Sequence, residues 1–149
     1  MTPPDDKLQA WLRELTLACQ EALLHGTPAN VQAVFLYGSA LGTGFRPDSD
    51  VDIAVLDRPD DRLTWTEQAR LMDLLERATG YGIDLRMLRD SPLSHQVDVL
   101  ESGIRLWAGD KTEADRYSRE TFESWQRQAH PDEAEWATTL RRLAGSVRS

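Results

Sequence analysis

Cysteine is almost missing from this chain: Cys19 is the only one among 149 residues. No internal disulfide can form, which is consistent with a reducing compartment. Long apolar runs are missing as well, and no stretch approaches the ~20 residues a helix needs to cross a bilayer. That excludes a membrane-spanning helix as an organising element. The start of the chain, MTPPDDKLQAW, has neither the basic beginning nor the apolar centre of a secretion signal. The cytoplasm is the expected compartment. Basic charge is scarce too, with 17 Lys and Arg against 25 Asp and Glu and a formal net charge of −8. Proteins that track a polynucleotide backbone draw most of their affinity from neutralised phosphates, so long RNA or DNA is not an expected partner. A cationic ligand, a basic protein, or a small anion carried in with metal ions stays open.

What is present supports one ordinary core, and a single domain is expected over 1–149. Leu8, Trp11, Leu12, Leu15, Ala18, Cys19, Ala22 and Leu23 recur at helical spacing before Gly26, predicting a first helix from Asp6 to about His25. VQAVFLY, 31–37, and VDIAVL, 51–56, read as buried strands. The segment between them, GSALGTGFRPDS, carries three glycines and a proline and predicts a loop, with one helical turn starting at Ser39. Thr64 and Glu67 have capping-box spacing ahead of Trp65, Ala69, Met72, Leu75 and Ala78, predicting a second helix to Gly80. GIDLRML, 82–88, alternates as a third strand with Asp84, Arg86 and Leu88 on one face. A short helix through about Ser102, with Ser91 as its N-cap and Pro92 in its first position, a short strand in GIRLWAG, and two terminal helices over about 112–129 and 132–147 complete the order.

The chemistry concentrates in 38–52. Residues two apart on a strand share a face, so Asp50 and Asp52 project together while Val51, Ile53 and Val55 fill the other side. Like charges this close raise one pKa and cost stability unless something positive sits between them. Hard carboxylate oxygens suit Mg²⁺, which takes one or two protein carboxylates together with water and phosphate oxygens. Asp84, on another strand among apolar neighbours, is the candidate third ligand. Without a His or Cys cluster, the set favours Mg²⁺ or Mn²⁺ over Zn²⁺. Gly38 directly after a strand lets a phosphate approach the backbone, and Ser39 adds a hydroxyl and amides at the start of a helical turn. Phosphate and metal sites at neighbouring strand ends suit a nucleoside triphosphate held with two metal ions for attack on its α-phosphate.

At these residues the chain resembles a known family. Gly38-Ser39, ten residues, then Asp50-Val51-Asp52 is similar to the GS-x10-DxD signature of the polymerase-β-like nucleotidyltransferases, with Asp84 in the place of the third carboxylate. The wording RPDSDVDIAV, the small size, and SHQVDVLESGIRLWAGD resemble the minimal nucleotidyltransferase (MNT) branch, the antitoxins partnered with HEPN toxins. The likeness covers about residues 30–110; the helices over about 112–147 match only in kind. It implies an α/β (α+β) fold with a small mixed sheet flanked by helices and a C-terminal helical pair. It also implies that Asp50 and Asp52 bind two Mg²⁺ ions, that Asp84 binds the catalytic ion and helps deprotonate the attacking hydroxyl, and that Gly38 and Ser39 hold the outgoing phosphates. The implied reaction moves AMP from ATP to a tyrosine hydroxyl of a HEPN-type toxin. Two alternatives remain: transfer to a small molecule such as an aminoglycoside, and a non-catalytic antitoxin that occludes its toxin. One departure concerns the loop, where relatives often read GSRARG and this chain reads GSALGT. Both loop arginines are missing, and Arg46 is the candidate replacement.

Other residues carry plainer readings. Asp48 is a turn residue after Pro47, and Ser49 either orients Asp50 by a hydrogen bond or serves the turn. His25, His95 and His130 fall at helix ends as surface or capping residues. Trp11, Trp65, Trp107, Trp125 and Trp136 are expected mostly in the core, with Trp125 and Trp136 the alternative markers of a partner surface. Cys19 is a small buried thiol on an apolar stripe.

Overall fold

The computed structural model describes residues 4–41, 50–129 and 141–142. The chain opens with helix α1, Pro4–Gly26, and strand β1, Val31–Tyr37, which ends in a 3-10 turn over Gly38–Leu41. Strand β2, Val51–Asp57, leads to helix α2, Trp65–Thr79, and strand β3, Ile83–Met87. After a short turn at Leu88–Asp90 come helix α3, Leu93–Ser102, strand β4, Ile104–Ala108, and helix α4, Lys111–Ala129. The expected helix over 132–147 falls outside the described residues except for 141 and 142, which are helical.

The strands form one mixed sheet in the order β3-β2-β1-β4. β1 lies antiparallel to both β2 and β4, whereas β2 and β3 run parallel, joined across the face by α2. β1 and β2 are buried along nearly their whole length because helices cover both faces, which is why they read as continuous apolar runs. One face packs Val34, Leu36, Ile53 and Val55 against Leu15, Cys19 and Leu23 of α1 and Leu71 and Leu75 of α2. The opposite face gathers Phe35, Tyr37, Ala54, Leu56 and Leu88 with Val99 of α3 and Ala114 of α4.

Local chemistry sets the helix ends. Thr64 Oγ1 accepts from the Glu67 amide at 3.1 Å and Glu67 Oε1 accepts from the Thr64 amide at 3.0 Å, a complete capping box. Gly80, at φ 77°, closes α2 by donating to Glu76 O at 2.8 Å. Two expectations need correction here. Trp65 is not core: it is 86% exposed, because Leu71 and Leu75 set the buried stripe of α2 and the first helical residue lies off that stripe. Pro92 occupies the N-cap of α3 and not its first helical position. Trp11 and Trp107 pack against the core as expected, Trp125 is 36% exposed, and Trp136 lies outside the described residues.

At the far end of β2 the fold buries a charge. Asp57 is fully buried and its Oδ2 accepts from Arg62 Nε at 2.8 Å and from the Leu63 amide at 2.9 Å. Arg89 Nε donates to the Asp57 carbonyl at 2.6 Å, while its Nη2 donates to Gln32 Oε1 at 2.8 Å. Through its carboxylate and its carbonyl, and by way of Arg89, Asp57 thus ties β2 to the loop after it, the turn after β3 and the start of β1. Among the described residues, no helix is long and apolar enough to cross a membrane.

Candidate active site

β1 ends where β2 and β3 begin, and this shared edge collects the acidic residues. The antiparallel register sets Tyr37 opposite Asp52, and the parallel register sets Asp52 opposite Asp84. Paired residues on neighbouring strands project to the same face, so Asp84, Asp52 and Tyr37 form one row across three strands. Asp50 lies just outside the row, exposed, immediately before β2. The Val51 amide donates to Gly82 O at 2.8 Å and locks the two strand starts together.

Two glycines make room for the two aspartates of the DVD motif. A Cβ on Gly38 would stand 2.2 Å from Asp52 Oδ2, and one on Gly82 would stand 2.3 Å from Asp50 Oδ1. Gly38 also has φ 78°, a left-handed conformation that other residues adopt at a cost. The turn that follows is the helical turn expected near Ser39, beginning one residue earlier. It presents the 38–41 backbone beside Asp52.

Arg86, two residues beyond Asp84 on the same face, brings Nη2 to 3.7 Å from Asp84 Oδ2. Both side chains are largely solvated, so this pair contributes little to stability. Burial, then the negative charge of Asp52, pushes the Tyr37 phenol up to about 12, with Arg86 opposing and Asp84 reinforcing. The phenol therefore stays protonated throughout the physiological range and can donate a hydrogen bond.

Sequence reading placed Asp50, Asp52, Asp84 and Gly38 at one site, and the fold brings them to one sheet edge. Ser39 sits in the adjoining turn, whereas Arg46, Ser49 and Asp48 lie outside the described residues. Among the described residues no group of three or more His, Cys, Asp and Glu side chains is gathered tightly enough to hold a metal by itself. The pair in register across the β2–β3 ladder meets the donor count of Mg²⁺, which needs only one or two protein carboxylates when phosphates and water fill the remaining positions.

Three nearby residues were not marked as part of the site from sequence: Tyr37, Gly82 and His95. An aromatic residue directly before the loop glycine was the available signal for Tyr37; the other two depend on contacts between distant segments. His95 is neither a surface residue nor a cap. It is half-buried in the first turn of α3, edge-on to the Tyr37 ring at 5.1 Å. His25 is exposed in the last turn of α1, as expected, and His130 lies outside the described residues.

Residues 21–112 match the family model described as polymerase beta, nucleotidyltransferase. Comparison with curated proteins finds no match. Solved structures with similar folds include a toxin–antitoxin with AMP-PNP, 26% identical over 80% of this chain and 98% of that one, at a TM-score of 0.60. A mutant MntA–HepT toxin–antitoxin is 27% identical, with 77% and 93% of the two chains covered and a TM-score of 0.53. A structure of the tri-AMPylated Shewanella oneidensis HEPN toxin in complex with MNT antitoxin supports the fold alone at 24% identity, with 83% and 98% covered and a TM-score of 0.57. With the family match extending over more than half of the chain, and a glycine-ended strand delivering its loop to the aspartate-bearing strand starts, this chain belongs to the polymerase beta nucleotidyltransferase family.

Proposed function

We propose that this chain is an Mg²⁺-dependent enzyme that moves AMP from ATP to a tyrosine hydroxyl of a HEPN-type toxin, and thereby acts as its antitoxin. The observation that carries the chemistry is the in-register pair Asp52 and Asp84 beside Gly38, a position where any Cβ would strike Asp52 Oδ2. Similarity to toxin–antitoxin structures, one of them with AMP-PNP, supports a toxin partner, and the tyrosine acceptor is what the resemblance to the MNT branch implies. Asp50, Asp52 and Asp84 would hold the metal ions, which when bound supply charge neutralisation at the α-phosphate and the departing pyrophosphate.

The chain's own groups do the rest. Asp84 accepts the phenolic proton as the acceptor oxygen bonds to the α-phosphorus and the bond to pyrophosphate breaks. Backbone at Gly38 and Ser39 receives the phosphates, Arg46 stands in for the missing loop arginines, and Ser49 orients Asp50. Arg86 keeps positive charge beside Asp84 before substrate arrives.

Purified protein incubated with ATP, Mg²⁺ and the product of the neighbouring gene should add one or more adenylyl groups to that partner by intact-mass analysis. Asp52→Asn combined with Asp84→Asn should abolish the adduct. No adduct with the wild type, or an equal adduct with the double variant, overturns the proposal. A double variant that still suppresses toxicity would assign neutralisation to binding alone.

A further inference from the structure

Among the described residues, Arg86 is the basic side chain that stands beside the acidic row. Alternation along β3 sets it on the face of Asp84, and the parallel register sets it opposite Ala54, on the next same-face rung after Asp52 and Asp84. A methyl group offers it no partner there. Its ion-pair partner is Asp84, at 3.7 Å, and no hydrogen bond fixes it among the described residues. Arg62 and Arg89 differ, since hydrogen bonds of 2.6–2.9 Å hold both of them to their neighbours. With its side chain 60% exposed, the Arg86 guanidinium is held by charge and not by packing.

That charge bears on how a divalent ion reaches the row. Among the described residues no three His, Cys, Asp and Glu side chains gather tightly enough to hold an ion, so water or phosphate oxygens must complete its shell. A positive charge beside Asp84 weakens the protein's share further. The same charge attracts a triphosphate, which remains an anion with one divalent ion bound. Its field spans the row: burial is the main cause of the raised Tyr37 phenol, but of the charges acting on it Arg86 opposes Asp52 and Asp84. On the phosphate side, the turn over Gly38–Leu41 carries no basic residue of its own.

Resting on the nucleotidyltransferase reading above, we infer that Arg86 makes the acidic row selective for a divalent ion that arrives with phosphate over the same ion free in solution. Before substrate enters, the guanidinium pairs with Asp84 and offsets part of the row's negative charge. When a metal-bound triphosphate enters, Asp84 exchanges the guanidinium for the metal. The charge that opposed the bare ion then favours the anion. Arg86 is thus a specificity-determining residue that acts through its field, neither a metal ligand nor a proton carrier.

Two binding measurements on the full chain test this without reference to catalysis: Mn²⁺ alone, followed by the electron paramagnetic resonance signal of the free ion, and inorganic tripolyphosphate at fixed Mn²⁺, followed by calorimetry. Arg86→Met should tighten Mn²⁺ alone about fivefold, the order expected when a unit charge near a divalent ion is removed in water, and loosen tripolyphosphate about threefold. Opposite signs separate this from a loss of fold, which weakens both. Arg86→Lys, which keeps the charge, should stay within about twofold of the wild type for each ligand. An unchanged or weaker Mn²⁺ affinity in Arg86→Met, a shift of both ligands in one direction, or a lysine variant that behaves as the methionine one overturns the inference. So does a wild-type chain whose Mn²⁺ affinity fails to rise when tripolyphosphate is present. In each of these cases a wild type that still binds tripolyphosphate leaves the nucleotidyltransferase reading standing, whereas a wild type that binds neither ligand sinks that reading itself.

Discussion

Alanine at position 38 would meet two penalties of different origin. The backbone there is left-handed at φ 78°, which costs a non-glycine residue about 1–2 kcal/mol, and the new methyl would displace the Asp52 carboxylate from 2.2 Å away. Gly38→Ala should therefore lower stability by about that amount in urea titration and abolish adenylyl transfer. Gly82→Ala tests the steric part separately, because Gly82 lacks the positive φ and Asp50, being exposed, can swing aside. Its stability should change by less than half as much while transfer still falls. Equal losses of stability in the two variants would contradict the distinction. Both aspartates of the motif were legible in the sequence, since a period of two fixes their common side. Gly82 was not, because its contact with Asp50 depends on how a later strand docks.

At the level of elements, α2 and the 57–64 connection are held by groups that sequence patterns reveal unevenly. The capping box at Thr64 and Glu67 was readable because all its partners lie within four residues. The stripe of α2 was misphased by Trp65, whose size outweighed its position at the first helical residue. Asp57 was invisible as an organiser because Arg62, Arg89 and Gln32 meet around it only after β1, β2 and β3 are assembled. Asp57→Ala removes the acceptor for Arg62 and for the buried Leu63 amide, and should cost about 3 kcal/mol in chemical denaturation. The loss should appear without change in ATP affinity, since the carboxylate lies at the opposite end of β2 from the acidic row. A loss below 1 kcal/mol would reduce this cluster to a surface decoration. The strands β1 and β2 were plain as apolar runs, whereas the order β3-β2-β1-β4 depends on pairings no local pattern encodes.

For the molecule as a whole, alkaline conditions probe the core. Burial pushes the Cys19 thiol from 9.0 up to about 11. Between those values the unfolded chain has released a proton that the native chain keeps, so stability falls as pH rises through this window. The loss should be of the order of 2 kcal/mol, and Cys19→Ala should flatten the slope between pH 9 and 11; an unchanged slope would place its source elsewhere. The Trp11 indole, which donates to the Tyr81 hydroxyl at 2.9 Å, links the chain's first helix to the approach of β3. That link bears on a hazard of the β2–β3 ladder. A slip of β3 by one residue would turn Asp84 toward the apolar core, and a slip by two would bring Arg86 opposite Asp52, a pairing that charge alone prefers to the native one. Without substrate, the functional alignment is thus the electrostatically poorer of two available ladders. It persists because the Trp11–Tyr81 anchor, the Val51–Gly82 hydrogen bond and the burial of Ile83 deny β3 the freedom to slide.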